Sequence, residues 1–409
     1  MAPSLASSSS ANRREWAIIL ALAAIQFTHM VDFVIMMPLG PQFLRAFDIT
    51  TKQFGWMISA YTYASALVGM LGAPFLDRFD RKKALLFLYS GFIVGTSICA
   101  IAPNHNVFIL GRIAAGAFAG LMVATVFSII GDLIPENRRG AATGTVMASF
   151  SVASVVGVPS GLWLAQQWGW HAPFFLLAGS AVLVWILVSW VLPPVRGHIS
   201  ASSRPKPSIG KSYQSMSEIL FDPRLLSTFV FTVLLMFGSF SVIPYISPYF
   251  VTTVGFPESK LPLLYLIGGI FTMFASRGVG ILSDRFGKKK VFLIAAFFSL
   301  AAVSIITRLP VVPVWVAIAS STFFMITMSG RMVPAMAMLT GQVEPSKRGG
   351  FLSLNTALQH LGSGLAATVG GYLIMQAPGQ AIQHYDRVGV LAVVSTMLAM
   401  ALSRGLKGK

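Results

Sequence analysis

Ala73-Pro-Phe-Leu-Asp77-Arg-Phe-Asp80-Arg81-Lys82-Lys83 and Gly280-Ile-Leu-Ser-Asp284-Arg-Phe-Gly287-Lys288-Lys289-Lys290 are two copies of one pattern set 207 residues apart. In each, an apolar stretch runs into Asp-Arg-Phe and ends at a basic cluster. A second pair lies outward from them: Gly131-Asp-Leu-Ile-Pro135-Glu-Asn-Arg138-Arg-Gly140 aligns with Gly341-Gln-Val-Glu-Pro345-Ser-Lys-Arg348-Gly-Gly350 at an offset of 210. Gly161 and Gln166 then match Gly371 and Gln376. Matches in two loops and the helix after one of them read as an internal duplication, so the chain is built from two similar halves.

The solvent of those halves is lipid. Of 409 residues 55% are hydrophobic and 11% charged, with a mean hydropathy of +0.74, more apolar surface than one water-soluble fold can bury. The formal charge of +17 sits in short clusters between apolar runs rather than on one face, which argues against a nucleic-acid partner and for membrane topology. The single cysteine, Cys99, allows neither a disulfide framework nor a cysteine metal site.

Segments long enough to span a bilayer as helices fall near 15–40, 52–76, 84–103, 107–133, 141–166, 173–193, 226–252, 262–283, 290–307, 311–341, 349–376 and 388–404. The expected fold is an all-α membrane protein of twelve transmembrane helices in two pseudo-symmetric six-helix bundles. Its parts are a tail over 1–14, a bundle over 15–193, a linker over 194–225, a bundle over 226–404 and a tail over 405–409. Lys and Arg crowd one set of loops, with Arg13, Arg14, Arg78 to Lys83, Arg138, Arg139, Arg196 to Arg224, Arg285 to Lys290, Lys347, Arg348 and Arg404 to Lys409. The other set holds Arg45, Lys52, Lys260, Arg308 and Arg387. The positive-inside rule therefore puts both termini in the cytoplasm. Within the polar linker a short surface helix is expected around Tyr213 to Leu220.

The two Asp-Arg-Phe loops resemble the signature Gly-x-Leu-x-Asp-Arg-x-Gly-Arg-Lys of the major facilitator superfamily, and the resemblance covers the chain from the first segment to the twelfth. The second copy fits with Gly280, Asp284, Arg285, Gly287, Lys288 and Lys289; the first has Ala73 and Asp80 in place of the glycines. Asp tolerates left-handed backbone better than most residues, so the turn is expected to survive. Leu110-Gly-Arg112-Ile-Ala-Ala-Gly116, the Asp132 to Gly140 loop and Gly157-Val-Pro159-Ser-Gly161 are similar to elements of twelve-helix drug:proton antiporters, although Val158 and Leu162 depart from the core Gly-Pro-x-x-Gly-Gly. The resemblance implies a multi-pass carrier of the bacterial inner membrane, working as a monomer by alternating access. It also implies proton-coupled efflux of hydrophobic or amphipathic small molecules through a cavity lined by segments 1, 4, 7 and 10; the alternatives are a specific uptake or efflux permease for a small anionic metabolite or vitamin, and a non-transporting membrane sensor or assembly partner.

Asp32 is the acidic residue deepest in an apolar segment, ~13 Å from the outer end of the first. A carboxylate there faces a cavity or a partner, and serves either proton coupling, or a cationic substrate group, or a structural ion pair. Arg112, at comparable depth in the fourth segment, either pairs with it or snorkels to the outer headgroups. His29, three residues before Asp32, shares its helical face and either shares the proton or orients the carboxylate. Arg331, ~15 Å from the cytoplasmic end of the tenth segment, aligns with Leu121 and has no counterpart. It suits an anionic substrate group, a second partner for Asp32, or backbone freed near Pro334.

Met328, Met332, Phe237, Phe240 and Tyr245 are candidates for an adaptable cavity wall, against the plainer reading of helix packing. Pro244 and Pro248 should kink the seventh segment near its outer end. Asp77, Arg78, Arg81, Asp132, Asp284, Arg285 and Arg348 form a candidate cytoplasmic gate; the resemblance implies that Asp77 meets the eleventh helix and that arginines bridge to Asp132. Topology-setting charge alone is the alternative. The sequence holds no Gly-Lys-Ser/Thr phosphate loop, metal cluster or nucleophile elbow, so no ATP motor, cofactor, metal or enzymatic activity is expected.

Overall fold

The structure, a computed structural model, describes residues 5–76, 78–196, 209–343, 348–375 and 380–406. It is all-helical apart from an antiparallel bridge between Met375 and Gln383. The first half contains α1 (Leu5–Ile35), α2 (Gly40–Ala46), α3 (Thr51–Leu76), α4 (Arg81–Ala100), α5 (His105–Leu133), α6 (Glu136–Val152), α7 (Val158–Trp168) and α8 (His171–Val191). After α9 (Ile209–Leu220), in the linker, come α10 (Pro223–Phe240), α11 (Ile246–Tyr249), α12 (Leu261–Phe286), α13 (Lys288–Ile306), α14 (Val314–Thr340), α15 (Arg348–Leu373) and α16 (Tyr385–Ser403).

Local chemistry sets the helix ends and breaks. Asp80, Asn104 and Asp222 cap α4, α5 and α10 by accepting from the backbone N–H of Lys82, Val107 and Arg224. Pro159 has no N–H to continue the α-helical ladder, and the turn before it, Ala153–Gly157, widens to a π-helix between α6 and α7. Pro244 and Pro248 fall where α10 gives way to a 3-10 turn, Ile243–Tyr245, and then to α11.

Eleven stretches among the described residues are long and apolar enough to cross a membrane. The remaining long helix, α15, is 26 residues long and carries Asn355, Gln359 and His360. Its polar side is turned to protein, because α15 packs along α3 and α10. The first expected segment also differs: α1 stops at Ile35, and the separate α2 follows.

Within the first half α5 packs on α3 and α4, and α1 on α6 and α8; within the second, α14 packs on α12 and α13, and α10 on α16. The halves touch where α3 meets α15 and where α7 and the π turn meet α12. At the face of Arg45 and Glu258 one apolar core runs through both halves, joining Ile35, Phe43, Phe54 and Phe108 to Tyr245, Phe250 and Ile306. Toward the face of Asp80 and Arg285 the cores separate. Leu22, Phe92, Met122 and Val188 belong to one, and Phe231, Phe292, Met338 and Ala399 to another.

The first Asp-Arg-Phe turn keeps its course by other means than expected. Asp80 has φ −56° and ψ 119°, not the left-handed conformation, whereas its twin Gly287 has φ +91°. The carboxylate replaces the glycine's backbone freedom with a cap: Asp80 accepts from Lys82 N at 2.9 Å, Val195 N at 3.2 Å and Arg196 Nε at 2.9 Å.

Candidate functional site

The deepest charges in the first half find each other. Arg112 Nη1 donates to Asp32 Oδ2 at 2.7 Å, with relative exposures of 1% and 0%. Burial this complete rules out snorkelling. Thr96 Oγ1 donates to the other carboxylate oxygen at 3.2 Å, and the guanidinium lies 4.3 Å from the centre of the Tyr61 ring, a cation–π contact strengthened by desolvation. Thus α1, α4, α5 and α3 each contribute one side chain. The approach is close because glycines remove bulk: a Cβ on Gly116 would stand 2.2 Å from the Tyr61 carbonyl oxygen.

His29 is buried on α1 with its ring near Tyr61 (6.4 Å between centroids) and Phe92 (6.2 Å). Its Nδ1 has no hydrogen-bond partner among the described residues, and Asp32 draws its bonds from Arg112 and Thr96 rather than from His29. One residue beyond Asp32, Phe33 bridges the halves, with its ring 5.5 Å from Tyr61 and 5.9 Å from Phe240. The charge pair therefore lies directly behind the seam.

Arg331 is fully buried in the second half and does not reach Asp32. Its Nη1 donates to Ser299 Oγ at 3.2 Å and Thr396 Oγ1 at 2.7 Å, and its Nη2 to Ser239 Oγ at 2.8 Å. These contacts, rather than backbone freed near Pro334, account for its position. Met328 belongs to the shared core, Met332 borders the core of the second half, and Phe237 is half-buried. Tyr245 is locked into packing: its hydroxyl donates to the Ala367 carbonyl at 2.5 Å and its ring meets Phe54. Asn355 and Gln359 make interhelical contacts, with Thr232 at 2.7 Å and with Met336 Sδ at 3.8 Å.

Of the gate candidates, Arg81 Nε meets Asp132 Oδ2 at 3.0 Å, inside the first half. Arg78 is exposed. Asp284 and Arg285 are exposed, and Arg285 lies over the ring of Phe286. Asp77 and the Arg348 side chain lie outside the described residues. At the opposite face the halves are latched by Arg45 Nη2 on Glu258 Oε2 at 2.8 Å and by Gln166 Nε2 on the Glu258 carbonyl at 2.8 Å. Nearby Lys52 Nζ sits 4.3 Å from the Tyr372 ring centre.

Gly157 and Gly161 let α1 lie against the break between α6 and α7, since a Cβ there would stand 2.3 Å from Val31 and 2.8 Å from Ile35. Pro159, with Val155, Val156, Trp163 and Leu266, lines an apolar groove of ≈ 510 Å³ at the contact with α12. Sequence reasoning missed Thr96, Tyr61, Phe33, Ser239, Ser299 and Thr396. Their one visible signal was polar or aromatic character inside apolar segments, which does not tell which helices will meet.

A multi-pass helical bundle sealed at one face, with an ion pair sunk behind the seam of its halves, has the architecture of a membrane carrier. The chain belongs to the Major Facilitator Superfamily, whose family model matches residues 22–280 and 278–406, and it is a secondary transporter. It is 30% identical over 383 residues to the inner membrane transport protein YdhP of Escherichia coli K12, covering 89% of this chain and 90% of that protein. Identity is 26% to the MFS-type transporter YceJ of Bacillus subtilis, with 93% of each chain covered. A probable sugar efflux transporter of Mannheimia succiniciproducens is 24% identical, covering 88% of this chain and 92% of that one. Among solved structures, the bacterial homologue of the lysosomal transporter Spinster, captured inward-facing and unoccupied, shares the fold. Its TM-score is 0.72 at 16% identity, covering 96% and 97% of the two chains. The E. coli xylose transporter XylE in a partially occluded inward-open conformation gives 0.70 at 15%, covering 93% and 96%.

Proposed function

We propose that this protein exports amphipathic small molecules from the bacterial cytoplasm across the inner membrane, driven by protons, with Asp32 as the coupling carboxylate. The observation that carries the reading is the Asp32–Arg112 pair, fully buried beside the inter-half contact of Phe33 with Phe240. Protonation of Asp32 would remove one charge of a desolvated pair and release Arg112, a change large enough to bias a two-state helical arrangement. Proton and substrate would then occupy the carrier alternately, as exchange requires.

In this reading twelve helices span the membrane, with α15 as the span whose polar side faces protein, and both termini lie in the cytoplasm. Residues 15–193 and 226–404 form the rocking bodies of a monomer. The shared core and the Arg45–Glu258 latch then close the outer side, while the separate cores at the other face leave the inner side free to part. Arg81, Asp132, Asp284 and Arg285 would engage across the halves in the opposite state. Outward direction is supported by the Gly157-Val-Pro159-Ser-Gly161 break and by the efflux named for one relative. A second reading, a permease for a small anionic metabolite, is favoured by Arg331, which has no carboxylate partner among the described residues.

The test is transport by the purified protein in proteoliposomes under an imposed proton gradient. Wild type should accumulate a lipophilic cation or neutral amphiphile against its gradient, and Asp32→Asn should lose accumulation while retaining downhill exchange. An Asp32→Asn protein that accumulates substrate as wild type does would refute the coupling role.

A further inference from the structure

Arg112 and Arg331, both buried, are held by repeat-related helices, and among the described residues only Arg112 has a counter-charge. The duplication pairs α4 with α13 through the Asp-Arg-Phe loops and α5 with α14 through the loops ending at Gly140 and Gly350; by order, α1 pairs with α10. Asp32 precedes Asp77 by 45 residues, and Ser239 precedes Asp284 by the same 45. Ser239 therefore occupies the repeat register of Asp32, and each takes a hydrogen bond from the buried arginine of its own half, at 2.7 Å from Arg112 and 2.8 Å from Arg331. The paired helices α4 and α13 also flank the two sites, through different positions and roles: Thr96 donates to the Asp32 carboxylate, and Ser299 accepts from the Arg331 guanidinium.

Where the first half places a carboxylate, the second places a hydroxyl. The three hydroxyls around Arg331 are neutral, and each spends its own proton on its helix: Ser239 donates to Leu235 O, Ser299 to Ala296 O and Thr396 to Ala392 O. They orient the guanidinium without neutralising it. A guanidinium has five N–H donors, and with three bonds made two remain; buried Nε has no acceptor among the described residues. A full positive charge at 0% exposure is costly unless an anion compensates it.

We infer that the Arg331 cradle, formed by Ser239, Ser299 and Thr396, is a binding site for one small monovalent anion, which does in the second half what the Asp32 carboxylate does in the first. The shared chemistry is a compact negative charge on a buried guanidinium; its source is either an inorganic halide or a small organic carboxylate. The anion reaches the site when the helices around it part, and the hydroxyls close over the guanidinium in its absence. This deepens the second reading above by naming the ligand class and the cradle. It stands apart from proton coupling, because the site is measured at equilibrium without transport.

The test is thermal unfolding of the purified full-length protein in detergent at constant ionic strength, with sodium gluconate, too bulky for a site enclosed by four helices, replaced stepwise by chloride or by acetate. Wild type should show a saturable rise in its midpoint with one of these anions. Chloride as the effective ion identifies a halide site, and acetate alone identifies a carboxylate site. Ser239→Asp supplies the missing charge from within, so it should unfold higher than wild type in gluconate and lose the anion response. Arg331→Gln should also lose the response, and Ser239→Asp keeps the proposal testable if that variant misfolds. A wild-type midpoint indifferent to both anions, or an undiminished response in Ser239→Asp, overturns the proposal.

Discussion

Arg112 and Asp32 are 2.7 Å apart with neither side chain more than 1% exposed, so each is the main source of the other's tolerance for burial. Removing one partner strands the other, at a cost of about 3–5 kcal/mol, whereas removing both costs far less than the two losses added. Asp32→Asn and Arg112→Gln are each expected to lower the unfolding midpoint sharply, and the double variant should recover part of the loss. Midpoints of the four proteins in one detergent measure the coupling directly.

The Arg45–Glu258 latch is different in kind. Its side chains are 56% and 24% exposed, and such a pair contributes about 0–1 kcal/mol, so Glu258→Gln should leave stability nearly unchanged. Its position between the halves makes it a handle on motion instead. An Arg45→Cys, Glu258→Cys protein, cross-linked through disulfides by a short bis-methanethiosulfonate, should stop transport and resume it on reduction. Buried Cys99 leaves the background low, and a fully active cross-linked protein would contradict an opening at this face.

Asp80 carries a prediction in pH. Burial pushes its carboxyl up, but the bond from Arg196 and the backbone N–H groups of Val195, Lys82 and Lys83 outweigh it, and the net shift is downward. A group with a lowered folded value stabilises above its unfolded value and loses that contribution as pH falls through the folded one, here below about pH 4. Because Arg196 is 60% exposed, the gain is about 1 kcal/mol or less. The protection factor of the Val195 amide, the intrinsic exchange rate over the observed rate at the same pH, should fall on acidification in wild type, and Asp80→Asn should show low protection there at neutral pH already.

The linker helix α9 is a strap across the seam. Tyr213 donates to the Leu71 carbonyl and packs on Phe75 of α3, while Ile219 is buried with Phe351 and Leu354 of α15 and Phe229 of α10. Ile219→Asp should forfeit the burial of one aliphatic side chain, about 1.5–3 kcal/mol, and release the strap without unfolding the bundles. Limited proteolysis should then cut within residues 209–220 several-fold faster, with the thermal midpoint little changed.

Much of this molecule was readable along the chain because lipid enforces it. Unbroken apolar runs must be helices there, so Thr51–Leu76, His105–Leu133 and Lys288–Ile306 closely follow the expected segments, and the duplicated loops aligned the halves. The chemistry of Pro244 and Pro248 marked where the seventh segment breaks, whereas the break before Pro159, inside a segment expected to be continuous, was not read from the sequence. Asp80 was misread because a turn at a glycine's position can be kept by a cap as well as by left-handed backbone.

By itself the sequence determined a duplicated, all-helical membrane carrier and singled out Asp32, Arg112 and Arg331 as charges that must be answered, since an ionised group in hydrocarbon cannot be left alone. Only the tertiary structure decided what answers them. Helices far apart in the chain meet through side-chain packing, which no local pattern encodes, and that packing gave Arg112 a carboxylate and Arg331 three hydroxyls.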